Sequence, residues 1–370
     1  MANAIKTVYI LGAGCSTGKQ PNGPGFPLAC EFVSALEEFS PSLAGNDCKK
    51  LKSLVDETAH LLRQENVQTL DALAARLGAE AHGSFSTGLT RHQKQLCDKQ
   101  VHNARIATAA LFMDLEKRAK KIGLPRYDNF LNELFGNSTA WAKASRNSTV
   151  CVLTFNYDRL FEMAFLNRFK CDTGQYNLYG KSLLNSGLDY VDGNGFEVDP
   201  DRFSFLKLHG SVGIRTRNED GNNNPHIYTT CDGLPGDDGK PINDERFCTH
   251  IQKLNPYDRD PEPLIVFPHE KQLVASKTEP PFLFQTYIEN VWKEAHRLVA
   301  EATTIYAIGY SFAPIDRDDV IGLLRSAKNC KKLVVQNRPG AAEEICQRLQ
   351  KKWIESEGLD IKVEPYPQPF

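Results

Sequence analysis

The chain has 370 residues, a formal net charge of −2, and 24% charged residues. No basic block or basic stripe interleaved with aromatic residues indicates nucleic acid as the main ligand, since the basic run Lys117–Lys121 fits the solvated end of a long helix. The first apolar run is too short for a signal peptide, and no apolar segment is long enough to cross a membrane. We therefore expect a cytoplasmic protein with no membrane partner, built as one large domain with insertions or as two smaller domains.

Ten cysteines are scattered singly through the chain. No two of them have the Cys-x-x-Cys spacing of structural zinc sites and thioredoxin-like motifs, so we expect no metal. Cys151 and Cys346 lie in apolar runs, as buried free thiols do. The cysteine pattern therefore favours a reducing compartment.

The chain opens with an apolar run, Val8–Leu11, and then a glycine turn, Gly12-Ala13-Gly14-Cys15-Ser16. A strand, a Gly-x-Gly turn and a helix near Pro27 are typical of α/β nucleotide sites, where backbone N–H groups face a pyrophosphate. Glycine lets phosphate oxygens approach and permits a positive φ. Thr17 replaces the third glycine of the dehydrogenase fingerprint, which disfavours a hydride-transfer dehydrogenase. A tight turn without a ligand is the alternative.

Two insertions are predicted in the sheet domain. Residues from about 45 to 145 have helical periodicity and no convincing strand, with a long helical stretch over Gln93–Lys121. Residues from about 215 to 262 are rich in Gly, Asn, Asp and Pro, which predicts a long loop. We predict a single domain over 1–370, with its sheet core in about 5–44 and 146–340 and a C-terminal helix and tail in 341–370.

Six apolar runs predict strands of a mostly parallel sheet that is buried on both faces. They are Val8–Leu11, Val150–Phe155, Phe203–Leu208, Leu264–Phe267, Thr304–Ile308 and Leu333–Gln336. Helical patterns separate many of them: Asp158–Phe169, Pro281–Ala302, Asp318–Ala327 and Ala341–Ser356. The predicted fold class is therefore a doubly wound, Rossmann-like α/β fold with an inserted helical module and no zinc module.

Polar motifs follow the predicted strands at their carboxyl ends, where open α/β sheets bind ligands. They are Thr154-Phe155-Asn156-Tyr157-Asp158, Leu208-His209-Gly210-Ser211, Ile308-Gly309-Tyr310-Ser311-Phe312 and Gln336-Asn337. With the glycine turn, the order of these motifs resembles that of the sirtuin superfamily. It is most similar to the bacterial SIR2-like branch, whose members are often effectors of anti-phage defence. The resemblance extends from residue 7 to about residue 338.

The resemblance implies an NAD⁺ site and a role for each motif. Asn156 and Asp158 would face the nicotinamide ribose, and His209 would be the catalytic histidine. The remaining residues of the implied site would bind the other parts of NAD⁺. On the pyrophosphate and nicotinamide side these are Gly12, Ala13, Gly14 and Ser16, and on the adenosine side Gly309, Ser311 and Asn337. The other residues expected to bind the cofactor are Cys15, Thr154, Phe155, Gly210 and Tyr310.

The chemistry of NAD⁺ cleavage suits these residue types. Breaking the nicotinamide–ribose bond develops positive charge on the ribose, as in glycosidases. The enzyme therefore has to orient the ribose, stabilise the charge and activate a nucleophile. Histidine is a common base near neutral pH, the Asn156 amide both donates and accepts, and Asp158 carries the opposite charge.

Each site residue also has a structural alternative. Asn156 and Asp158 are favoured N-cap residues for the helix that follows them. His209 would be a satisfied structural histidine. Gly309-Tyr310-Ser311 would be a plain strand-to-loop turn, and Asn337 a turn residue before Pro339.

Two departures from protein-deacetylating sirtuins bear on the activity. Those enzymes carry a four-cysteine zinc module, whereas no paired cysteines occur here. They also carry a segment similar to Ser-Gly-Ile-Pro-Asp-Phe-Arg after the glycine loop, and the corresponding stretch, Thr17–Pro27, lacks Asp-Phe-Arg. Water is therefore the expected acceptor, and the expected activity is NAD⁺ glycohydrolysis.

The resemblance further implies a place in anti-phage defence. The expected role is that of an effector that depletes NAD⁺ in abortive infection, works as a homo-oligomer and is controlled by a partner such as a hexameric translocase ATPase. The alternatives are a zinc-less NAD-dependent deacylase or ADP-ribosyltransferase, and a non-catalytic subunit that binds NAD⁺ or ADP-ribose.

Overall fold

The computed structural model describes residues 7–17, 26–39, 46–67, 69–82, 90–122, 124–136, 149–169, 203–218, 225–229, 263–267 and 285–370. The chain divides into two compact units. The first comprises residues 1–18, 123–209 and 286–370, and the second comprises residues 19–122 and 210–285. No helix in the described ranges is both long enough and apolar enough to cross a membrane.

The first unit contains a sheet of six parallel strands with helices between them. Its elements are β1 (Thr7–Leu11), α5 (Pro125–Phe135), β2 (Val150–Thr154), α6 (Leu160–Phe169), β3 (Ser204–Lys207), α7 (Gln285–Ala300), β7 (Thr304–Ile308), α8 (Arg317–Ser326), β8 (Lys332–Gln336), α9 (Ala341–Leu349) and β9 (Lys362–Tyr366). A π-helical turn, Gln350–Ile354, follows α9. The predicted fold class, a mostly parallel α/β sheet with flanking helices, is confirmed.

The strand order is β3-β2-β1-β7-β8-β9. The chain moves outward from β1 through β2 to β3 and then returns to β7 on the other side of β1, so the order reverses between β1 and β7. Such a reversal is the usual ligand position in open α/β sheets. Leu11 is in register with Thr154 and Ile308, which aligns the carboxyl ends of these central strands.

Aromatic side chains fill much of the core of this unit. The Phe161 ring of α6 stacks on Phe205 of β3 at 4.5 Å between centroids, and the Tyr9 ring of β1 stacks on Tyr306 at 5.3 Å. Phe130 of α5 meets the edge of Tyr9 at 5.3 Å. Helix α5 therefore packs on the sheet unit, although its periodicity predicted that it belonged to the helical insertion.

The second unit combines helices with a small antiparallel sheet. Its elements are α1 (Phe32–Glu38), α2 (Asn46–Gln64), α3 (Leu70–His82), α4 (Arg91–Ile122), β4 (Gly210–Asn218), β5 (Pro225–Thr229) and β6 (Pro263–Ile265). The strand order is β5-β4-β6. Arg105 of α4 fixes helix to sheet, because its Nε donates to Ile265 O at 2.9 Å and its guanidinium lies over the Phe267 ring.

Two sequence predictions about strands were wrong. The run Leu264–Phe267 was expected in the parallel sheet, but it contributes to β6, which pairs antiparallel with β4 in the second unit. An apolar run specifies burial and leaves the pairing partner open. Part of the predicted loop from about 215 to 262 forms β4 and β5, which pair from Ile214 to Asn218. The rest of that segment lies outside the described residues.

A helix was expected near Pro27, and the chain forms a 3₁₀ turn at Ala29–Glu31 that continues into α1. Another 3₁₀ turn, Ala13–Cys15, directly follows β1. The cysteines whose side chains the structure describes are free thiols: Cys15, Cys30, Cys97, Cys151, Cys330 and Cys346. Within the described ranges, no group of three or more His, Cys, Asp and Glu side chains is placed to hold a metal ion.

Candidate functional site

The predicted motifs of the first unit meet at the carboxyl edge of its parallel sheet. Hydrogen bonds continue from strand to strand into the loops, because Phe155 N donates to Leu11 O at 3.1 Å and Leu208 N donates to Thr154 O at 2.8 Å. On the other side of β1, Gly12 N donates to Ile308 O at 3.0 Å. The loops after β1, β2, β3 and β7 are therefore neighbours along this edge.

The glycine turn packs tightly against the loop that follows β7. A Cβ added to Gly12 would lie 2.4 Å from Tyr310 Cα, and one added to Gly14 would lie 2.7 Å from Gly309 O. Gly12 has a φ of −114°, which other residues also adopt, whereas Gly309 has a φ of +60°. Contact between two backbones accounts for the glycines at this point.

Most amides of the glycine turn donate to carbonyls of the protein itself. Gly14 N donates to Gly309 O at 2.8 Å, Cys15 N to Gly12 O at 2.9 Å and Ser16 N to Ala13 O at 3.0 Å. Ala13 is the exposed residue of the turn. The expected row of amides facing a pyrophosphate is thus largely used in hydrogen bonds within the fold.

Ser16 is the centre of a buried hydrogen-bond network. Its hydroxyl donates to Asp158 Oδ2 at 2.7 Å, lies 2.8 Å from the Tyr127 hydroxyl, and accepts from Asn156 Nδ2 at 3.4 Å. Asn156 Nδ2 also donates to Gly12 O at 3.0 Å. The structure therefore brings together three predicted site residues, and it adds Tyr127 from α5. A ligand hydroxyl that reaches Asn156 would have to meet the Oδ1 end of the amide.

Asp158 combines a capping role with a buried, polar environment. Its Oδ1 accepts from Leu160 N at 3.0 Å, so the structural alternative of a helix cap is confirmed for this residue. Burial raises the pKa of Asp158, and the charge of Lys207 opposes that rise. Lys207 donates to the Asp158 carbonyl and pairs at 2.8 Å with Glu162 Oε1. Burial and the nearby Asp158 charge raise the pKa of Tyr127 well above its usual range.

His209 lies in the turn after β3 and is 5% exposed. Phe155 meets the imidazole edge to face, with 4.9 Å between ring centroids. His209 Nε2 lies 3.9 Å from Asp316 Oδ1, and Asp316 Oδ2 accepts from the Tyr310 hydroxyl at 2.7 Å. The Tyr310 ring in turn stacks on Phe155 at 4.6 Å with an interplanar angle of 7°. The histidine is thus held among aromatic rings beside a buried carboxylate.

The residues expected on the adenosine side lie in the loops after β7 and β8. Ser311 is exposed, and its carbonyl accepts from the Arg348 guanidinium of α9. Phe312 has a φ of +54°, a conformation that is unusual for a bulky residue. Asn337 N donates to Tyr366 O at 3.3 Å, and Asn337 Oδ1 accepts from Arg338 N at 2.9 Å. The Asn337 contacts are those of a turn residue.

Three predicted ligand residues have buried, structural side chains. The Cys15 thiol donates to Ile308 O at 3.0 Å, and burial raises its pKa. Thr154 Oγ1 donates to Leu11 O at 3.2 Å and accepts from Asn156 N at 3.0 Å. Phe155 packs between Tyr310 and His209, as described above. Gly210, with a φ of +80°, is the first residue of β4 and belongs to the second unit.

Sequence reasoning missed four residues of this network: Tyr127, Lys207, Glu162 and Asp316. Tyr127 lies in a helix remote from the motifs, and no local pattern marks it. Lys207 did carry a signal, because a lysine at the end of an apolar strand needs a buried partner. Asp316 follows the last glycine motif, and no local pattern marks it as a neighbour of His209.

No protein-family model matches the chain, and no curated protein matches it. Among solved structures, a complex of a Sir2 homologue mutant with ADP-ribose is similar over 94% of this chain and 92% of that chain. The sequence identity is 12% and the TM-score is 0.29. The α/β fold itself follows from the parallel strand order and from the reversal between β1 and β7.

Proposed function

We propose that the protein cleaves NAD⁺ into nicotinamide and ADP-ribose, with water as the acceptor. The observation that carries the proposal is the convergence of Ser16, Asn156, Asp158 and His209 on the carboxyl edge of one parallel sheet. These are the residues that the sirtuin resemblance assigns to the nicotinamide side. A parallel sheet binds its ligands at this edge, next to the reversal of strand order.

The reaction needs charge stabilisation and one proton acceptor. The bond between nicotinamide nitrogen and ribose C1′ breaks, and its electron pair moves to the nitrogen, which leaves positive charge on the ribose. Asp158 supplies negative charge when ionised, and its burial makes that charge act over a low-dielectric path. Water then bonds to C1′, and its proton passes to His209. Asn156 orients a ribose hydroxyl or the water through its amide.

Two features of the sequence support water over a peptide or protein acceptor. The cysteines are unpaired in sequence, so the chain offers no four-cysteine zinc module. The stretch Thr17–Pro27 also lacks the Asp-Phe-Arg of deacetylating sirtuins. A hydrolase needs neither feature, because its second substrate is solvent.

We further propose a role as an NAD⁺-depleting effector of a bacterial anti-phage system. This proposal rests on the resemblance to the SIR2-like branch. Uncontrolled NAD⁺ hydrolysis would harm the host cell, so the activity has to be restrained until infection. Restraint by homo-oligomer assembly, with a hexameric translocase ATPase as partner, is the arrangement that the resemblance favours.

The test is incubation of the protein with NAD⁺, both purified and as the assembly isolated from cells, with nicotinamide and ADP-ribose measured by chromatography. We expect equimolar products that are lost in His209→Ala and Asn156→Ala. His296→Ala is the matched control, since His296 is a half-buried histidine of α7 that pairs with Ser326. It should retain the activity of the native protein.

Three other results would contradict the proposal. Nicotinamide release that requires an acylated peptide or a protein acceptor would indicate a deacylase or ADP-ribosyltransferase. A thermal shift with NAD⁺ and no turnover in either preparation would indicate a binding subunit. Full hydrolysis by folded His209→Ala would remove the histidine from the mechanism.

A further inference from the structure

Asp316 occupies a helix-capping position without capping the helix. It precedes α8, where aspartate commonly accepts a hydrogen bond from an amide of the first turn. Its side chain makes no such bond. Oδ2 instead accepts from the Tyr310 hydroxyl at 2.7 Å, and Oδ1 lies 3.9 Å from His209 Nε2. The carboxylate is therefore directed toward the histidine and away from the helix end.

The surroundings of this carboxylate strengthen its effect on the imidazole. Asp316 is 6% exposed and His209 is 5% exposed, so little water screens the charge between them. Phe155 packs on both the His209 ring and the Tyr310 ring, at 4.9 and 4.6 Å between centroids. This packing restrains the two rings, and the Tyr310 hydroxyl restrains the carboxylate. The orientation of the pair is set by the fold.

We propose that Asp316 is a positioning residue that orients the His209 imidazole and stabilises its positive charge after it takes a proton. The inference rests on the proposed hydrolysis, in which the O–H bond of water breaks, the oxygen bonds to ribose C1′ and the proton moves to His209. A histidine that takes a proton becomes a cation, and a carboxylate at 3.9 Å stabilises that cation. Tyr310 acts indirectly, because its hydroxyl fixes the Asp316 carboxylate.

Asp316→Asn tests the charge while it preserves shape, because an amide oxygen can still accept from Tyr310. We expect kcat for NAD⁺ hydrolysis to fall at least about tenfold, which is less than the roughly 10²–10⁴-fold that a proton-transfer group itself contributes, because Asp316 acts through His209. KM should change less than about threefold, since Asp316 acts on a catalytic group and not on substrate binding. Asp318→Asn is the matched control: it removes the same charge from the same helix end, at an exposed position.

A spectroscopic readout separates this inference from the proposed reaction. The NMR signal of the His209 ring is identified by its absence from His209→Gln. We expect its chemical shift to change in Asp316→Asn but not in Asp318→Asn. Tyr310→Phe, which retains the ring that stacks on Phe155, should move it less and lower kcat less. Thermal melting establishes whether each variant is folded. If Asp316→Asn does not fold, the change in the His209 signal of Tyr310→Phe is the test.

The outcomes are distinct. A ring signal that stays in place when Asp316 changes overturns the inference, whether or not the protein hydrolyses NAD⁺. A kcat within twofold of the native value also overturns it. A ring signal that moves in a protein without NAD⁺ turnover retains the positioning role and overturns the proposed reaction alone.

Discussion

Replacing Gly309 by alanine tests the contact between the glycine turn and the loop after β7. An added Cβ would lie 2.5 Å from Cys15 N and 2.6 Å from Gly14 C, and both of these are backbone atoms that cannot rotate away. Gly309 also has a φ of +60°, which L side chains rarely adopt. The variant therefore combines a steric penalty with a conformational one.

The two penalties can be measured separately in this chain. Gly136 has a φ of +62° with nothing within 4 Å of an added Cβ, so Gly136→Ala should cost only the conformational term, about 1–2 kcal/mol. In Gly14→Ala the new Cβ would lie 2.7 Å from Gly309 O without a positive φ, so it should cost the overpacking term, about 1–3 kcal/mol. Gly309→Ala should cost both, about 2–5 kcal/mol.

The assay is urea denaturation of the three variants and the native protein, with NAD⁺ affinity measured by calorimetry on each. If Gly309→Ala loses no more unfolding free energy than Gly136→Ala, the two loops do not touch as described. The same data distinguish two explanations of the glycines: close packing of the two loops, and close approach of a phosphate to the backbone. If Gly14 is needed only for the approach of a phosphate, Gly14→Ala would weaken NAD⁺ binding and leave the unfolding free energy unchanged.

Two further predictions concern stability. Phe370→Ala should lower the unfolding free energy by about 1–3 kcal/mol, because the Phe370 ring packs edge to face against Tyr127 and Phe130, with 5.5 Å between ring centroids in each pair. A loss below about 0.5 kcal/mol in urea denaturation would contradict this packing role. The unfolding free energy of Asp158→Asn should rise relative to that of the native protein as pH rises above about 4, because burial raises the Asp158 pKa in the folded state. The carboxyl then ionises in the unfolded chain before it ionises in the folded protein, so the native protein loses stability over that range. A difference in unfolding free energy that does not vary with pH would contradict the raised pKa.

Local patterns predicted the parallel strands well and their partners less well. The run Thr304–Ile308 was predicted with the bounds that β7 has in the structure. A strand buried on both faces is apolar throughout, and that property is visible in the sequence alone. The run Leu264–Phe267 has the same composition, yet β6 pairs antiparallel in the second unit. Pairing depends on residues that are remote in sequence, so composition could not have decided it.

The candidate site was predictable where its residues follow strands and hidden where they do not. Asn156 and His209 come directly after apolar runs, and parallel register then places them at one edge. Tyr127 reaches Ser16 from a helix that begins more than a hundred residues later. The position of Asp316 just before a predicted helix suggests a capping residue. Its contact with His209 in place of a capping hydrogen bond depends on the three-dimensional structure.

Hydrogen bonds join the loops of the candidate site into one framework. Asn156 of the β2 loop holds the carbonyl of Gly12 after β1, Gly14 N donates to Gly309 O after β7, and Gly309 N donates to Gln336 O of β8. Groups that are fixed in this way need not reorganise when charge develops on a substrate, which is the arrangement that favours electrostatic catalysis. A change at Gly309 should therefore disturb Asn156 across β1 through these hydrogen bonds. For this reason, measurements on the glycine variants bear on the proposed catalytic residues as well as on the fold.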